Sequence, residues 1–156
     1  FIDSIDYLGK KYGLKVKGLI TGTGRIESII AQKADGSENL TFINRYLSNR
    51  ELAELIADSK VVALPYKDAT GSITVQVANY YNKPVVASRV GCFPEYVENG
   101  INGLLINEYS ESGLAEQIYE LLTNNKLYKT IKCSISEYFD QNFNIKEIVK
   151  KLQKEM

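Results

Sequence analysis

Two unbroken apolar runs, KVVALPY at residues 60–66 and KPVVAS at residues 83–88, constrain this chain most. Neither alternates polar with apolar residues, so each reads as a strand covered on both faces, the pattern of a parallel sheet. Parallel neighbours cannot be joined by a tight hairpin; they need a crossover, usually a helix. The segment between the runs supplies one: a small-residue turn at Thr70, Gly71 and Ser72, then ITVQVANYY, with Pro84 restarting the strand.

The same alternation continues along the chain. Phe1, Ile2, Ile5 and Leu8 fall on one face of a helix, and LKVKGLITGTG reads as a strand ending in a glycine turn. A helix with Ile26, Ile29 and Ile30 follows, then a second strand in NLTFINRY. Ser48 with Glu51 three residues later is a capping-box signal, and Leu52, Leu55 and Ile56 continue it as an apolar stripe. ENGINGLLIN carries two Asn-Gly pairs, which favour tight turns, before another strand-like run. Three helical patterns close the chain: Leu114, Ile118, Leu121 and Leu122; Leu127, Ile131, Ile135 and Tyr138; and Ile145, Ile148, Val149 and Leu152.

This order predicts an α/β fold, a parallel sheet of about five strands with helices on both faces and a helical C-terminal tail. No linker or repeat interrupts it, so residues 1–156 are expected to be one domain. The chain opens inside a helical pattern without Met or a capping residue, and Phe1 is expected to be a truncation point.

Composition narrows the function. Nineteen basic and nineteen acidic side chains cancel, so no strong field recruits nucleic acid or an anionic membrane. Cys92 and Cys133 lack ligand-like spacing and are expected to be packing residues in a reduced, cytoplasmic compartment. The apolar runs are too short to span a bilayer. The basic tail KEIVKKLQKEM reads as a solvated helix face, so membrane contact is at most peripheral. There is no histidine, so catalysis within the chain would rely on Asp, Glu, Lys, Tyr or backbone dipoles.

In a parallel α/β sheet, ligands bind beyond the carboxyl ends of the strands. Two glycine turns fall there. Gly22-Thr23-Gly24 lacks the third glycine of the dinucleotide fingerprint, since position 27 is Glu27, and it is either a structural turn or a close-approach surface. No Lys-Ser or Lys-Thr follows either turn, which excludes a P-loop. Thr70-Gly71-Ser72 at a helix start is either an anion cradle of hydroxyls and free N–H groups or simply a capped helix end. Gln76 and the Tyr80-Tyr81 pair read as surface and packing residues.

The order of ITGTGRIESI, LTFINRYLSNRELAELIADSKVVALPY, NKPVVASRVGCFPEYVENGINGLLI and SGLAEQIYELL resembles the C-terminal half of a family-4, or group 1, glycosyltransferase. These are retaining sugar transferases of two Rossmann-like domains, the GT-B architecture. The resemblance implies a domain that grips a nucleotide-diphosphate sugar as donor, while a separate N-terminal domain brings a glycan or lipid-linked acceptor. It implies no metal and no further cofactor. By position, Gly22 and Gly24 would line the donor cleft, Arg45 and Tyr46 would border the nucleobase, and Ala69, Thr70, Gly71, Ser72 and Ile73 would present backbone N–H groups to the sugar and diphosphate.

Two departures accompany the resemblance. The family commonly carries two glutamates separated by seven residues, one near the donor sugar and one on the ribose hydroxyls; here those positions are Ala69 and Val77. The Arg and Lys that neutralise the donor diphosphate, on the first strand of the domain and the loop after it, would lie before Phe1. No catalytic residue is therefore assigned, and these 156 residues alone are expected not to turn over. A non-catalytic binding or scaffold domain, or a sugar-nucleotide epimerase or phosphorylase of similar architecture, are the alternative readings.

Overall fold

The apolar runs become strands whose side chains divide, residue by residue, between two cores. In a computed structural model, residues 1–24 and 27–143 are described. Their order is α1 (Ile2–Tyr12), β1 (Gly18–Thr21), α2 (Glu27–Asp35), β2 (Leu40–Ile43), α3 (Asn49–Asp58), β3 (Val62–Leu64), α4 (Ile73–Tyr80), β4 (Val85–Ser88), α5 (Phe93–Tyr96), β5 (Gly103–Ile106), α6 (Glu111–Thr123) and α7 (Asn125–Phe143). On β4, Val85 and Ala87 point into a core with Ile56 of α3, Val75 and Ala78 of α4, and Phe93 of α5. Val86, between them, points into the other core, with Ile5 and Leu8 of α1, Leu114 and Ile118 of α6, and Ile131 and Ile135 of α7. On β5 the alternation repeats, with Leu105 on the first side and Leu104 and Ile106 on the second. A period of two on strands covered by helices on both sides explains why Val85, Val86 and Ala87 follow one another with no polar residue between them.

The strands are parallel as expected, but they form two sheets: β1 paired with β2, and β3–β4–β5 in that order. Gly18 donates to Asn39 at 2.8 Å, so its ladder face turns toward β2, and Val62 donates to Pro84 at 3.0 Å, so its face turns toward β4. Since alternate residues of a strand turn to opposite edges, the facing edges of β1 and β3 are left without ladder partners. In the doubly wound order one strand position separates these two, and no strand among the described residues occupies it. Burial follows the pairing. All four residues of β4 are buried, whereas Val62 and Ala63 of β3 are only half-buried and Leu19 of β1 is 39% exposed. Thus KVVALPY is not covered throughout, contrary to its composition.

The capping box forms as predicted. The Ser48 hydroxyl accepts the Glu51 N–H at 3.3 Å, and a Glu51 carboxylate oxygen accepts the Ser48 N–H at 2.8 Å. The Asn-Gly segment is latched by its side chains. Asn102, fully buried, accepts from the Glu98 N–H and donates to the Tyr96 carbonyl, each at 2.8 Å, and Asn99 accepts from the Leu105 N–H at 2.9 Å. This piece of the sequence serves the fold.

Cys92 is buried, but Cys133 is exposed, so the second cysteine is not a packing residue. It lies midway between Ile131 and Ile135, both fully buried, and a step of two residues turns it about 200° from each. Ile26 and the last helical pattern, Ile145 to Leu152, lie outside the described residues, as does the basic tail. Among the described residues no helix is long and apolar enough to cross a membrane.

Candidate functional site

The predicted site residues gather at the carboxyl ends of β1, β2 and β3 as two separate groups. The first joins the glycine turn after β1 to the loop after β2. The Ile43 carbonyl, closing β2, accepts both the Gly22 N–H at 3.2 Å and the Arg45 N–H at 2.9 Å. One acceptor therefore ties Gly22 to the segment bearing Arg45 and Tyr46. A hollow of about 150 Å³ opens beneath, lined by Ile20, Thr21, Gly22, Gly24, Glu27 and Phe42 among others. Gly22 has φ 123°, a backbone that L side chains rarely adopt, whereas Gly24 has neither positive φ nor any neighbour within 4 Å of a built Cβ. Of the two glycines, only Gly22 is demanded by backbone geometry.

Arg45 and Tyr46 are adjacent but differ in availability. The Arg45 guanidinium reaches Glu51 at 2.6 Å and donates to the Tyr46 carbonyl at 3.3 Å. Glu51 is the capping-box carboxylate, and Arg45, together with the Ser48 N–H and hydroxyl, pulls it down to about 2. The arginine is therefore engaged by the start of α3 and supplies no isolated positive charge. Tyr46, 83% exposed, presents its ring to solvent beside the glycine hollow's loop. An aromatic face of this kind can stack on any base, without discrimination by hydrogen bonds.

The second group is the turn after β3. Ala69 is buried at 8% exposure, Thr70 and Gly71 are exposed, and Ser72 is the N-cap of α4. Its hydroxyl makes no capping bond. Among the described residues, Thr70, Gly71 and Ser72 make no hydrogen bond at all. The reading of this turn as an ordinary side-chain cap is thus not what the structure shows, because a capping serine would accept from the second or third N–H of α4. Instead the first turn of the helix keeps its donors, which together with the helix dipole favour an anion. Ile73, 70% exposed, stands at the same edge, while Val77, one turn further on, packs partly against the core of α3, α4 and α5. No hydrogen bond among the described residues links this group to Gly22 or Arg45.

The sequence reading did not single out Gly91 and Cys92 as site residues. The Cys92 N–H donates to the Ala69 carbonyl at 2.9 Å, and Gly91 lies directly against the Ala69 backbone. Their signal was the Val-Gly turn inside RVGCFPE, which stood in view only as part of a family pattern.

Parallel strands covered by helices on both faces define a Rossmann-like α/β domain. The particular lineage comes from comparison. Residues 1–124 match the family described as glycosyl transferases group 1, and the chain belongs to that family. It is 26% identical over 127 residues to the N-acetyl-alpha-D-glucosaminyl L-malate synthase of Bacillus anthracis, covering 74% of this chain and 33% of that protein. Among solved structures, the Anabaena Alr3699/HepE protein in complex with UDP and glucose superposes with a TM-score of 0.73 at 21% identity, over 97% of this chain and 44% of that one. The C-terminal domain of a group 1 family protein (LpcC) from Francisella tularensis superposes with a TM-score of 0.76 at 19% identity, covering 93% of this chain and 78% of that one. Against its curated relatives the matched part spans 19 to 33% of their length.

Proposed function

We propose that the chain is the donor-binding domain of a retaining glycosyltransferase that moves a sugar from a nucleotide diphosphate to a glycan or lipid-linked acceptor. The observation that carries this is the turn at residues 70–72, which leaves three successive residues and the start of α4 without hydrogen-bond partners at the exit of a parallel strand. In this reading the backbone N–H groups there hold the donor's sugar and diphosphate. Tyr46 offers a face to the base, and the Gly22 turn lets the backbone approach. The structural neighbour that holds UDP and glucose supports a donor of that chemistry.

Positive charge for the departing diphosphate, and the acceptor domain, come from sequence before Phe1 in this proposal, and a strand preceding Phe1 takes the position between β1 and β3. Stabilisation of a leaving diphosphate is largely electrostatic, so the 156 residues alone bind donor without transferring sugar. The test is titration of the full-length protein with a panel of nucleotide sugars and nucleoside diphosphates, followed by calorimetry. Saturable binding of one base is expected, and no binding to any of them at millimolar concentration overturns the proposal.

One observation favours a second reading, a binding domain without catalysis. Ala69 and Val77 are turned into the protein, buried and partly buried, where the family commonly keeps carboxylates. A hydrogen bond to a charged group is worth about 1.5 to 3 kcal/mol, so their absence weakens donor affinity by one to two powers of ten. Introducing glutamate at both positions distinguishes the readings. Tighter donor binding marks a degenerate site, and weaker binding marks a native site already adapted to its ligand.

A further inference from the structure

The turn at residues 70–72 has no internal hydrogen bonds, so something outside it must fix where its donors point. Among the described residues, the hydrogen bond that reaches its flank is that from the Cys92 N–H to the Ala69 carbonyl, at 2.9 Å. In a trans peptide the carbonyl and the following N–H point in opposite directions. Holding the Ala69 carbonyl toward Cys92 therefore aims the Thr70 N–H away from Cys92. The clamp is close because Gly91 permits it. Gly91 has φ 52°, and a Cβ there would run into the Ala69 carbonyl oxygen, 2.8 Å from its carbon and 2.9 Å from its nitrogen. These are backbone atoms, which cannot swing aside as the end of a flexible side chain can.

We propose that Gly91 and Cys92 are positioning residues of the anion-binding turn: by clamping the Ala69 carbonyl they orient the Ala69–Thr70 peptide so that its N–H faces the donor's sugar and phosphates. The site is then built from two strand exits, the turn after β3 and the turn after β4. Its buttress, Val90-Gly91-Cys92, rests on β4, whose four residues are all buried, and on Phe93, which is fully buried and donates its N–H to the Val90 carbonyl at 3.2 Å. The ligand half of this inference rests on the functional reading above; the positioning half does not.

The experiment uses the full-length protein, and its first readout needs no ligand. In Gly91→Ala the backbone amide resonances of Thr70, Gly71 and Ser72 are expected to move. In Gly103→Ala, where a Cβ meets the Val85 backbone instead, the protein is destabilised but those three amides stay in place. Resonances of residues 70–72 left unmoved by Gly91→Ala overturn the positioning role, whatever the protein binds. The second readout is affinity for UDP with uridine as the phosphate-free control. Gly91→Ala is expected to weaken UDP by about tenfold or more, the scale of one hydrogen bond to a charged group, and to leave uridine within about twofold. Equal weakening of both overturns the assignment of the effect to the phosphate end. If the parent protein binds neither UDP nor any other member of the nucleotide panel, the functional reading fails while the amide result still decides the positioning role. Should Gly91→Ala not fold, Cys92→Pro takes its place: the φ of −77° at Cys92 suits proline, and the change deletes the clamping N–H and sets the ring Cδ in its place against the Ala69 carbonyl. The same two readouts apply.

Discussion

The two glycine turns at the strand exits look alike in sequence, TGTG and ATGS, and are held by different means. The first is fixed by its own backbone. Gly22 takes φ 123° and donates to Ile43 on the neighbouring strand. The second has no positive φ, no internal bond and no side-chain cap, and it is held by a turn more than twenty residues further on. The first sits on a two-stranded sheet with Leu19 exposed; the second sits beside a three-stranded sheet with two covered faces. A turn whose own N–H is already donated to a neighbouring strand has fewer donors to spare. A turn held from outside keeps its donors for something else, which is what an anion site requires.

The largest effect that would break this contrast is loss of the second turn's foundation. Phe93→Ala removes a fully buried side chain whose ring meets Tyr66 edge-on at 5.5 Å, and it is expected to cost about 3 to 5 kcal/mol in denaturant unfolding. A cost below that of an ordinary surface change would show that the turn after β4 does not depend on this core. Next is the first turn's own backbone. Gly22→Ala forces an L side chain to φ 123° and is expected to cost about 1 to 3 kcal/mol by the same measurement.

The loop that shares the Ile43 carbonyl with Gly22 gives a smaller effect. Ser48→Ala removes a capping-box hydroxyl and is expected to cost about 1 kcal/mol. The same cap gives a pH signature. The Glu51 carboxyl is lowered to about 2 in the folded protein, first by Arg45 and then by Ser48. A depressed carboxyl stabilises the fold fully above its unfolded value of about 4.3, and that contribution is lost as pH falls toward 2. Glu51→Gln is expected to flatten this part of the acid limb in a series of melts, and an unchanged limb would remove Glu51 from the cap. Smallest is Gly24→Ala. With open space and no positive φ, it is expected to change stability by no more than about 0.5 kcal/mol, and a larger loss would mean that both glycines of the first turn are structural.

Much of the fold was legible. Residues that had to be apolar on both sides, such as Val85, Val86 and Ala87, declared a buried parallel strand, and Ser48 with Glu51 declared the start of α3, because these signals are local. The candidate site was half legible. Gly22 and the 70–72 turn stood out by residue type, but Arg45 was set beside the nucleobase by resemblance, and only its contact with Glu51 showed that it is engaged by the cap. Cys133 read as a packing residue because composition carries no helical phase. Gly91 was invisible as a site residue, since its role is defined by the backbone of Ala69, twenty-two positions away.

The sequence by itself determined which segments are strands, all the helices but the short α5, and which turns are rich in small residues, because these follow from periodicity, capping and turn chemistry within a few neighbours. Only the tertiary structure decided that the strands form two sheets, that β3 is half exposed, and that Ala69 is clamped by Cys92. Pairing between strand edges and the direction of a peptide plane depend on what approaches from distant parts of the chain, and no local pattern of side chains encodes that.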